Sequence, residues 1–418
     1  MFKKITLENG LRIITVPSKS TQTVTVLVLV GTGSKYEKKE EKGISHFLEH
    51  MYFKGTKKRP SSLEIAETLD RVGGIYNAFT SQEYTGYFAK VSKEHFDLAL
   101  DWVSDIFLNS TLPEKEIEKE RGVIIEEINM RKDHPIEHVQ VLWQRLLYGD
   151  QPAGWDVAGE VETVSKIKRE DLIEYRETQY LASNTIVCLA GNFNEKEGIE
   201  KVKKYFKKIR TGKSRQKPKV IEIQKEPEIL FEKRNTDQTH ICLGVRGFNI
   251  FDKKRYAQEI LGLILGGMMS SRLFEKIRTK LGIAYYIETD VFSDPDTGFL
   301  VTRAGLSNEK LEKGISEILK EYQRIKREGV SKSELKKAKD CLKGKMNILL
   351  ESSDARASFF AIQEILEKKI LTPTEIFKKI NKVSSAEILK LAREIFKPER
   401  LNLALIGPKE IKREILKV

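Results

Sequence analysis

The stretch VSKIKREDLIEYRETQYLASNTIVCLAGN (residues 164–192) decides the fold, because a second version of it follows later in the chain. INKVSSAEILKLAREIFKPERLNLALIGP (380–408) matches it at a constant offset of 216 residues, from 164 to 380. Both versions end in an apolar, strand-like run followed by a glycine, Gly191 in the first and Gly407 in the second. An internal match of this length predicts that the chain is a duplication.

Two further pairs of segments support the duplication. YTGYFAKVSKEHF (84–96) parallels DTGFLVTRAGLSNEKL (296–311), and LPEKEIEKERGVIIEE (112–127) parallels VSKSELKKAKDCLKGK (330–345). Along the chain, runs with the two-residue period of strands alternate with long amphipathic helix patterns. We therefore predict two homologous domains, each built from both strands and helices.

The joint between the two halves is predicted in RTGKSRQKPKV (210–220). This segment is basic and contains glycine and proline, a composition typical of an exposed linker. At 418 residues, the chain is also long enough for more than one hydrophobic core. We predict an N-terminal domain at 1–209, a linker at 210–221 and a C-terminal domain at 222–418.

The charge balance does not favour a nucleic-acid partner. The chain has 74 Lys and Arg against 61 Asp and Glu, a net charge of +13. Segments such as EKKEEK (37–42) and KREDLIEYRE (168–177) mix both signs, whereas a nucleic-acid surface gathers basic residues on one side. We predict a charge-rich exterior and no nucleic-acid partner.

Cysteine usage and hydropathy indicate the cellular setting. The three cysteines, Cys188, Cys242 and Cys341, lie far apart and form no CxxC pair, which predicts neither a disulfide framework nor a thiolate metal site. The N-terminus lacks the apolar segment of a signal peptide. The apolar run VTVLVLV (24–30) is far shorter than the ~20 residues needed to cross a bilayer. We predict a cytoplasmic protein that does not enter membranes.

A candidate metal site lies in SHFLEHMYFKGT (45–56). On a helix, His46 and His50 are four residues apart and lie about 40° apart on one face, so both imidazoles can reach one ion. Glu49 lies on the adjoining flank, where a carboxylate suits a base for water activated by a metal. A catalytic zinc site uses three protein ligands, so a third ligand is expected elsewhere.

The third ligand is predicted in EIEKERGVIIEEINMR (116–131). Glu120 and Glu127 are seven residues apart, so they share a helical face but stand ~10 Å apart along its axis. One of them can bind the ion, and the other can orient a ligating histidine from outside. Glu126 points about 100° away from Glu127 and is less suitable.

Other histidines offer weaker candidates. HPIEH (134–138) has the same spacing as the first motif, but Pro135 removes His134 from the helical conformation and is typical of a helix start. The second half has no counterpart of the first motif, because an offset of 212 residues places Gln258, Leu261 and Gly262 at the three positions. We interpret HPIEH as structural.

These motifs together resemble a known family. HFLEH followed by MYFKGT, ERGVIIEEIN around Glu127, YNAFTSQEYTGYF, and GGMMSSRLFEKIRTKLGIAY in the second half resemble the inverted-zincin metallopeptidases of family M16, which include pitrilysin, insulysin and mitochondrial processing peptidase. The length is similar to that of its small two-domain subfamily. The resemblance implies an α+β fold of two homologous α/β domains, each a mostly antiparallel sheet packed with helices.

The resemblance also implies roles for individual residues. His46, His50 and Glu127 would bind one Zn²⁺ per chain, Glu49 would be the general base, and Glu120 would orient a ligand from outside the metal.

Substrate-binding residues are implied in the same way. Asn77, Ala78 and Phe79 match the family's edge strand, to which an extended substrate adds. Arg278 and Tyr285 match a pair that grips the substrate carbonyl.

The expected activity is that of a zinc-dependent endopeptidase on unfolded peptides or leader segments. Two chains would enclose the substrate, as a homodimer or a heterodimer, with Arg278 and Tyr285 acting across subunits. The alternative is a noncatalytic partner or scaffold subunit of a heterodimeric peptidase.

Overall fold

Two β-sheets organise the protein, whose computed structural model describes residues 2–416. The strands are β1 (Lys3–Thr6), β2 (Arg12–Pro17), β3 (Thr23–Val30), β4 (Ile75–Thr80), β5 (Thr85–Ser92), β6 (Thr185–Gly191), β7 (Glu228–Lys233), β8 (Gln238–Arg246), β9 (Ala284–Ser293), β10 (Gly298–Ser307) and β11 (Leu401–Gly407).

The sheets are accompanied by α-helices of very different lengths. They are α1 (Ile44–Met51), α2 (Ser62–Asp70), α3 (Phe96–Asn109), α4 (Glu114–Asp133), α5 (Pro135–Tyr148), α6 (Val161–Val164), α7 (Arg169–Gln179), α8 (Glu195–Tyr205), α9 (Arg255–Leu265), α10 (Leu311–Glu328), α11 (Lys332–Leu349), α12 (Ser353–Glu367), α13 (Pro373–Lys382) and α14 (Ser385–Ile395). A π-helix covers Phe274–Lys280. No helix within residues 2–416 is long and apolar enough to cross a membrane.

The two sheets have the same topology. The first sheet has the order β1-β2-β6-β3-β5-β4, and the second has the order β7-β11-β8-β10-β9. Each contains one parallel pair, β2 with β6 and β7 with β11, while its other pairs are antiparallel. Apart from β1, the strands correspond one to one, as a duplication requires. The predicted fold class, two homologous domains with mostly antiparallel sheets and helices, is confirmed.

One face of the first sheet is covered by helices of the same sequence half. The strand β3 alternates, so that every second valine points into a core shared with α1 and α3. The fully buried members of this core include Val24, Val26, Val28, Val30, Phe47, Leu48, Leu100 and Val103. This packing fixes α1 and its side chains relative to the sheet.

The other face of the first sheet is covered by α12, which comes from the second half of the sequence. Leu27, Leu29 and Cys188 contribute to a core with Phe360 and Ala361 of this helix. Polar contacts hold both ends of α12. Near its C-terminus, Glu364 accepts hydrogen bonds from Lys4 Nζ at 2.9 Å and Arg12 Nη1 at 3.5 Å.

The second sheet receives α5 from the first half of the sequence in the same way. Val139 and Trp143 of α5 pack with Cys242, Val301 and Ala404 of the second sheet. The two halves therefore exchange equivalent helices, because α5 and α12 each follow the corresponding long helix, α4 or α11.

The chain accordingly forms two compact units with interrupted boundaries. Unit 1 runs from the N-terminus to Asn129 and adds Trp155–Pro218 and Ile348–Ile370. Unit 2 consists of Met130–Gly154, Lys219–Asn347 and the chain from Leu371 onward. The predicted domain division at 210–221 concerns the repeat in the sequence, and it stays a prediction.

We predict that a fragment ending at Pro218 does not fold correctly, because it lacks α12. Burying Phe360 and Ile365 contributes about 1.5–3 kcal/mol for each side chain, a large share of the ~5–15 kcal/mol that stabilises a domain. The isolated fragment should bind a hydrophobic dye and unfold without cooperativity. Co-expression with residues 219–418 should restore cooperative calorimetric unfolding. A cooperatively folded fragment that binds no dye would contradict the exchange.

Candidate metal centre

The helix α1 brings two imidazoles together at the surface of unit 1. Its apolar residues Phe47, Leu48 and Met51 are buried in the core, which fixes the rotation of the helix about its axis. His46 and His50 consequently lie on one face, and their Nε2 atoms are 3.2 Å apart. This arrangement agrees with the prediction from the four-residue spacing.

Glu127 of α4 completes a group of three. Its Oε2 atom lies 3.6 Å from His46 Nε2 and 3.7 Å from His50 Nε2. Four-coordinate zinc with bonds of ~2.0–2.1 Å keeps its ligand atoms roughly 3.3 Å apart, so the size and donor types of this triangle fit zinc. Within residues 2–416, these three residues form the one group of His, Cys, Asp and Glu close enough to hold a metal ion.

Glu120, one helical face further along α4, lies on the outer side of His50. Its Oε1 atom accepts a hydrogen bond from His50 Nδ1 at 2.9 Å, and its Oε2 atom lies 2.6 Å from Lys54 Nζ. Burial alone would raise the pKa of Glu120, but the hydrogen bonds from His50 and Lys54 prevail and lower it. The sequence left open which glutamate approaches the histidine Nε2 atoms, and the structure places Glu127 there.

Lys54 is a site residue that the sequence analysis missed. It lies four residues after His50, and it ion-pairs with Glu120 rather than with the histidines. Its motif, MYFKGT, was noticed only as part of the resemblance. A lysine in such a segment has no intrinsic signal, because its partner is about 66 residues away in the sequence.

Glu49 lies on the flank of α1 that faces β4. The hydroxyl of Thr80, the last residue of β4, donates a hydrogen bond to Glu49 Oε2. The strand β4 is at the edge of the first sheet, as the resemblance implied for Asn77, Ala78 and Phe79. Asn77 is exposed, whereas Ala78 is buried and Phe79 is half-buried.

The second HxxEH sequence forms no such group. His134 precedes α5, which begins at Pro135, and His138 Nε2 instead lies 2.9 Å from Glu232 Oε2. The interpretation of HPIEH as a helix start agrees with this geometry.

Arg278 and Tyr285 belong to unit 2, whereas the histidines and Glu127 belong to unit 1. Arg278 is an exposed residue of the π-helix, with its guanidinium 4.8 Å from the ring centre of Phe274. Tyr285 lies near the start of β9 and is 73% exposed. Their predicted contact with a substrate stays a prediction.

Unit 2 has no metal group at the equivalent positions. Gln258 is buried, and its Oε1 atom accepts a hydrogen bond from the Phe248 amide at 3.1 Å. At Gly262, an added Cβ would lie 2.7 Å from Val291 Cγ2, so a histidine has no room there.

Comparison with known proteins identifies the family. Residues 12–159 match the insulinase domain of peptidase family M16, and residues 166–342 match the domain described as the peptidase M16 inactive domain. The chain belongs to peptidase family M16, and the resemblance inferred from its motifs is confirmed.

Full-length relatives support this assignment. The chain is 37% identical over 411 residues to an uncharacterized zinc protease of Bacillus subtilis, covering 98% of each chain. It is 32% identical to an uncharacterized zinc protease of Rickettsia felis, covering 97% of each. A protease from Helicobacter pylori has a similar structure, with a TM-score of 0.91, 26% identity and coverage of 98% of this chain and 99% of the other.

A buried carboxylate fixes the N-terminus of α1. Glu37 accepts hydrogen bonds from the backbone amides of Gly43 at 2.8 Å and Ser45 at 2.9 Å. The hydroxyl of Ser45 in turn pairs with the hydroxyl of Tyr175 at 2.8 Å. Burial raises the pKa of Glu37 from 4.5 to about 7. The sequence analysis missed this contact, since Glu37 reads as one member of a charged run.

We predict that Glu37 makes stability fall as the pH rises. Its native pKa of about 7 exceeds its ordinary value of 4.5, so between these values the native state holds a proton that the unfolded state has lost. The unfolding free energy should decrease over this range, by at most on the order of 3 kcal/mol. In metal-free protein, calorimetry should therefore show a larger stability advantage of the parent over Glu37→Gln at pH 5 than at pH 8.

The matched control is Glu41→Gln in the same loop. The pKa of Glu41 is lowered: burial would raise it, but hydrogen bonds from Arg215 and Lys38 prevail, so Glu41 is ionised throughout this range. Its variant should differ from the parent by the same amount at both pH values. An equally constant difference for Glu37→Gln would contradict the prediction.

Proposed function

We propose that the protein is a zinc-dependent endopeptidase that hydrolyses unfolded peptides or cleavable leader segments. The observation that carries this proposal is the convergence of His46, His50 and Glu127, with the carboxylate of Glu49 on the adjoining flank. Membership of peptidase family M16 and the zinc proteases among its relatives support it.

The donor set favours one zinc ion in each chain. Two imidazoles and one carboxylate leave a fourth position open, as in catalytic zinc sites. When bound, zinc would supply Lewis acidity that lowers the pKa of water toward ~7. Glu120 holds His50 through its Nδ1 atom and so directs the Nε2 atom toward the metal. Lys54 neutralises the buried charge of Glu120.

Glu49 is assigned as the general base. It takes a proton from the attacking water and later delivers that proton to the amine that leaves. A carboxylate beside the ligands, rather than among them, is suited to this exchange, because it keeps a free electron pair for the proton.

The edge strand β4 is the proposed peptide-binding element. An extended peptide can add to a free sheet edge through main-chain hydrogen bonds, with little dependence on its side chains. We assign Asn77, Ala78 and Phe79 to this contact, next to the base on α1. Recognition of this kind requires an extended backbone, which favours unfolded substrates over folded ones.

Arg278 and Tyr285 are assigned to the substrate carbonyl and its developing negative charge. Loss of one such donor typically costs about 10²–10³ in rate. Their exposure supports the assignment, since both side chains are accessible from outside unit 2. We propose a dimer in which they act across subunits, either as a homodimer or with a related partner chain. The cytoplasmic location and the absence of a nucleic-acid partner stay predictions.

The alternative is a noncatalytic partner or scaffold subunit. The match of residues 166–342 to a domain described as inactive favours it for the second half only. The complete donor set in unit 1 favours the enzyme, because a scaffold has no need for two histidines and a carboxylate within 4.8 Å of one another.

We predict that Glu49→Gln abolishes most peptide hydrolysis without removing the metal. Loss of a general base costs about 10²–10⁴ in rate, while the three ligands are unchanged. The rate is measured with an unfolded fluorogenic peptide, and the metal by elemental analysis. His134→Ala, which changes an exposed histidine of HPIEH, is the control and should keep full activity. A Glu49→Gln variant as fast as the parent would exclude Glu49 as the base.

We also predict that Glu120→Gln weakens metal binding about 10–100-fold, because the amide is a poorer acceptor for His50 Nδ1 than the carboxylate. Competition with a chelating dye measures the affinity. Glu126→Gln on the same helix is the matched control, since Glu126 is exposed, and its affinity should equal that of the parent. Equal affinities for both variants would show that Glu120 does not support the site.

A further inference from the structure

We propose that Thr80 is a positioning residue, which holds the carboxylate of Glu49 in the orientation needed to accept a proton. This inference rests on the proposed function of Glu49. The contact is direct: the Thr80 hydroxyl donates a hydrogen bond to Glu49 Oε2. An ionised carboxylate can only accept, so the direction of this hydrogen bond is fixed.

The chemistry explains why Glu49 benefits from such a partner. A glutamate side chain has several rotatable bonds, and a general base must lie within hydrogen-bond distance of the proton that it accepts. Threonine is suited to hold it, because the branched Cβ restricts the side chain to few χ1 rotamers. Thr80 therefore offers a hydroxyl in a well-defined place.

The turn that follows Thr80 is closed by its own hydrogen bonds. The amide of Ser81 donates to the Tyr84 carbonyl at 2.9 Å, and the hydroxyl of Ser81 accepts from the amides of Glu83 at 3.2 Å and Tyr84 at 3.1 Å. Thr80 itself lies opposite Thr85 in the pairing of β4 with β5. The end of β4 is thus fixed locally.

The same turn is fastened to the loop that precedes α1. The amides of Ser34 and Lys35 donate to the carbonyls of Ser81 and Gln82 at 3.2 and 3.0 Å. At Gly33, an added Cβ would lie only 2.1 Å from the Ser81 carbonyl oxygen, so a larger residue would separate the two segments.

A buried ion pair strengthens this attachment. Lys35 Nζ lies 3.0 Å from Glu83 Oε1, and their side chains are only 2% and 3% exposed. Lys217, from the segment predicted as a linker, pairs with the same carboxylate. Breaking a buried pair is costly, so the turn and the loop should move as one piece.

Both ends of the contact between Thr80 and Glu49 therefore rest on one scaffold. The loop that is joined to the turn also contains Glu37, whose carboxylate caps α1. A displacement of β4 relative to α1 would break these contacts together. Thr80 is consequently placed to define where the Glu49 carboxylate points, while the main chain of β4 remains available for a peptide.

The test compares Thr80→Val, which keeps the shape but removes the hydroxyl, with Thr80→Ser, which keeps the hydroxyl. A hydrogen bond to a charged group corresponds to about 10–100-fold in rate, so Thr80→Val should lower kcat by about that factor. Its KM and metal content should match those of the parent within about twofold, because main-chain recognition and the ligands are unchanged. Thr80→Ser should recover kcat to within about threefold.

Three kinetic outcomes would overturn the proposal. Thr80→Val could retain kcat within twofold, Thr80→Ser could be as impaired as Thr80→Val, or KM could rise with kcat unchanged. The last two would indicate a structural or binding role instead.

A crystallographic comparison separates this proposal from the proposed function. If the zinc-loaded parent hydrolyses no peptide, the proposed function fails, and zinc-loaded crystals of the parent and Thr80→Val still test the positioning role. The Glu49 carboxylate should leave its position in Thr80→Val, and an unchanged position would overturn the proposal.

Discussion

Each sheet of this protein has two apolar faces, and its own half of the sequence supplies helices for only one of them. The remaining face needs a cover, because exposed apolar strands would cost the fold most of its hydrophobic stabilisation. α12 covers the first sheet, and α5 covers the second. The ion pair and hydrogen bonds at Glu364 fix α12 in place. With both faces covered, the sheet becomes a rigid support for α1, and the candidate metal centre depends on that rigidity.

The loop before α1 transmits this rigidity to the site through polar contacts. Glu37 holds the first turn of the helix, while the buried pair of Lys35 and Glu83 holds the turn at the end of β4. Buried polar groups of this kind are costly unless every partner is present, so they specify one arrangement of the loop. The histidines on α1 and the hydroxyl of Thr80 are therefore placed by a single network. The site is assembled by packing and hydrogen bonds before any ion arrives.

Local patterns in the sequence predicted the parts of this structure that depend on short distances along the chain. The spacing of His46 and His50 predicted a shared helical face, and the repeated segments predicted two sheets of equal topology. Contacts between distant residues were not predictable. Nothing local distinguishes Glu127 from Glu120 as the neighbour of the histidine Nε2 atoms, or marks Lys54 and Glu37 as part of the site. The exchange of α5 and α12 was missed for a related reason, because an amphipathic pattern shows that a face is buried but not which sheet buries it.

The second unit shows how a duplicated scaffold loses a metal site while it keeps its fold. At the position equivalent to His50, α9 has Gly262 and approaches Val291 of β9 so closely that no side chain fits. At the position equivalent to Glu127, an offset of 218 residues places Lys345, whose Nζ atom donates to the Gly267 carbonyl at 3.0 Å. A cation therefore replaces the carboxylate, and backbone packing replaces the imidazole. Because the strand order is unchanged, the sheet and its covering helices do not need the metal group for their stability. The ligands of unit 1 are thus an addition to a self-sufficient scaffold, which leaves their geometry free to serve chemistry rather than folding.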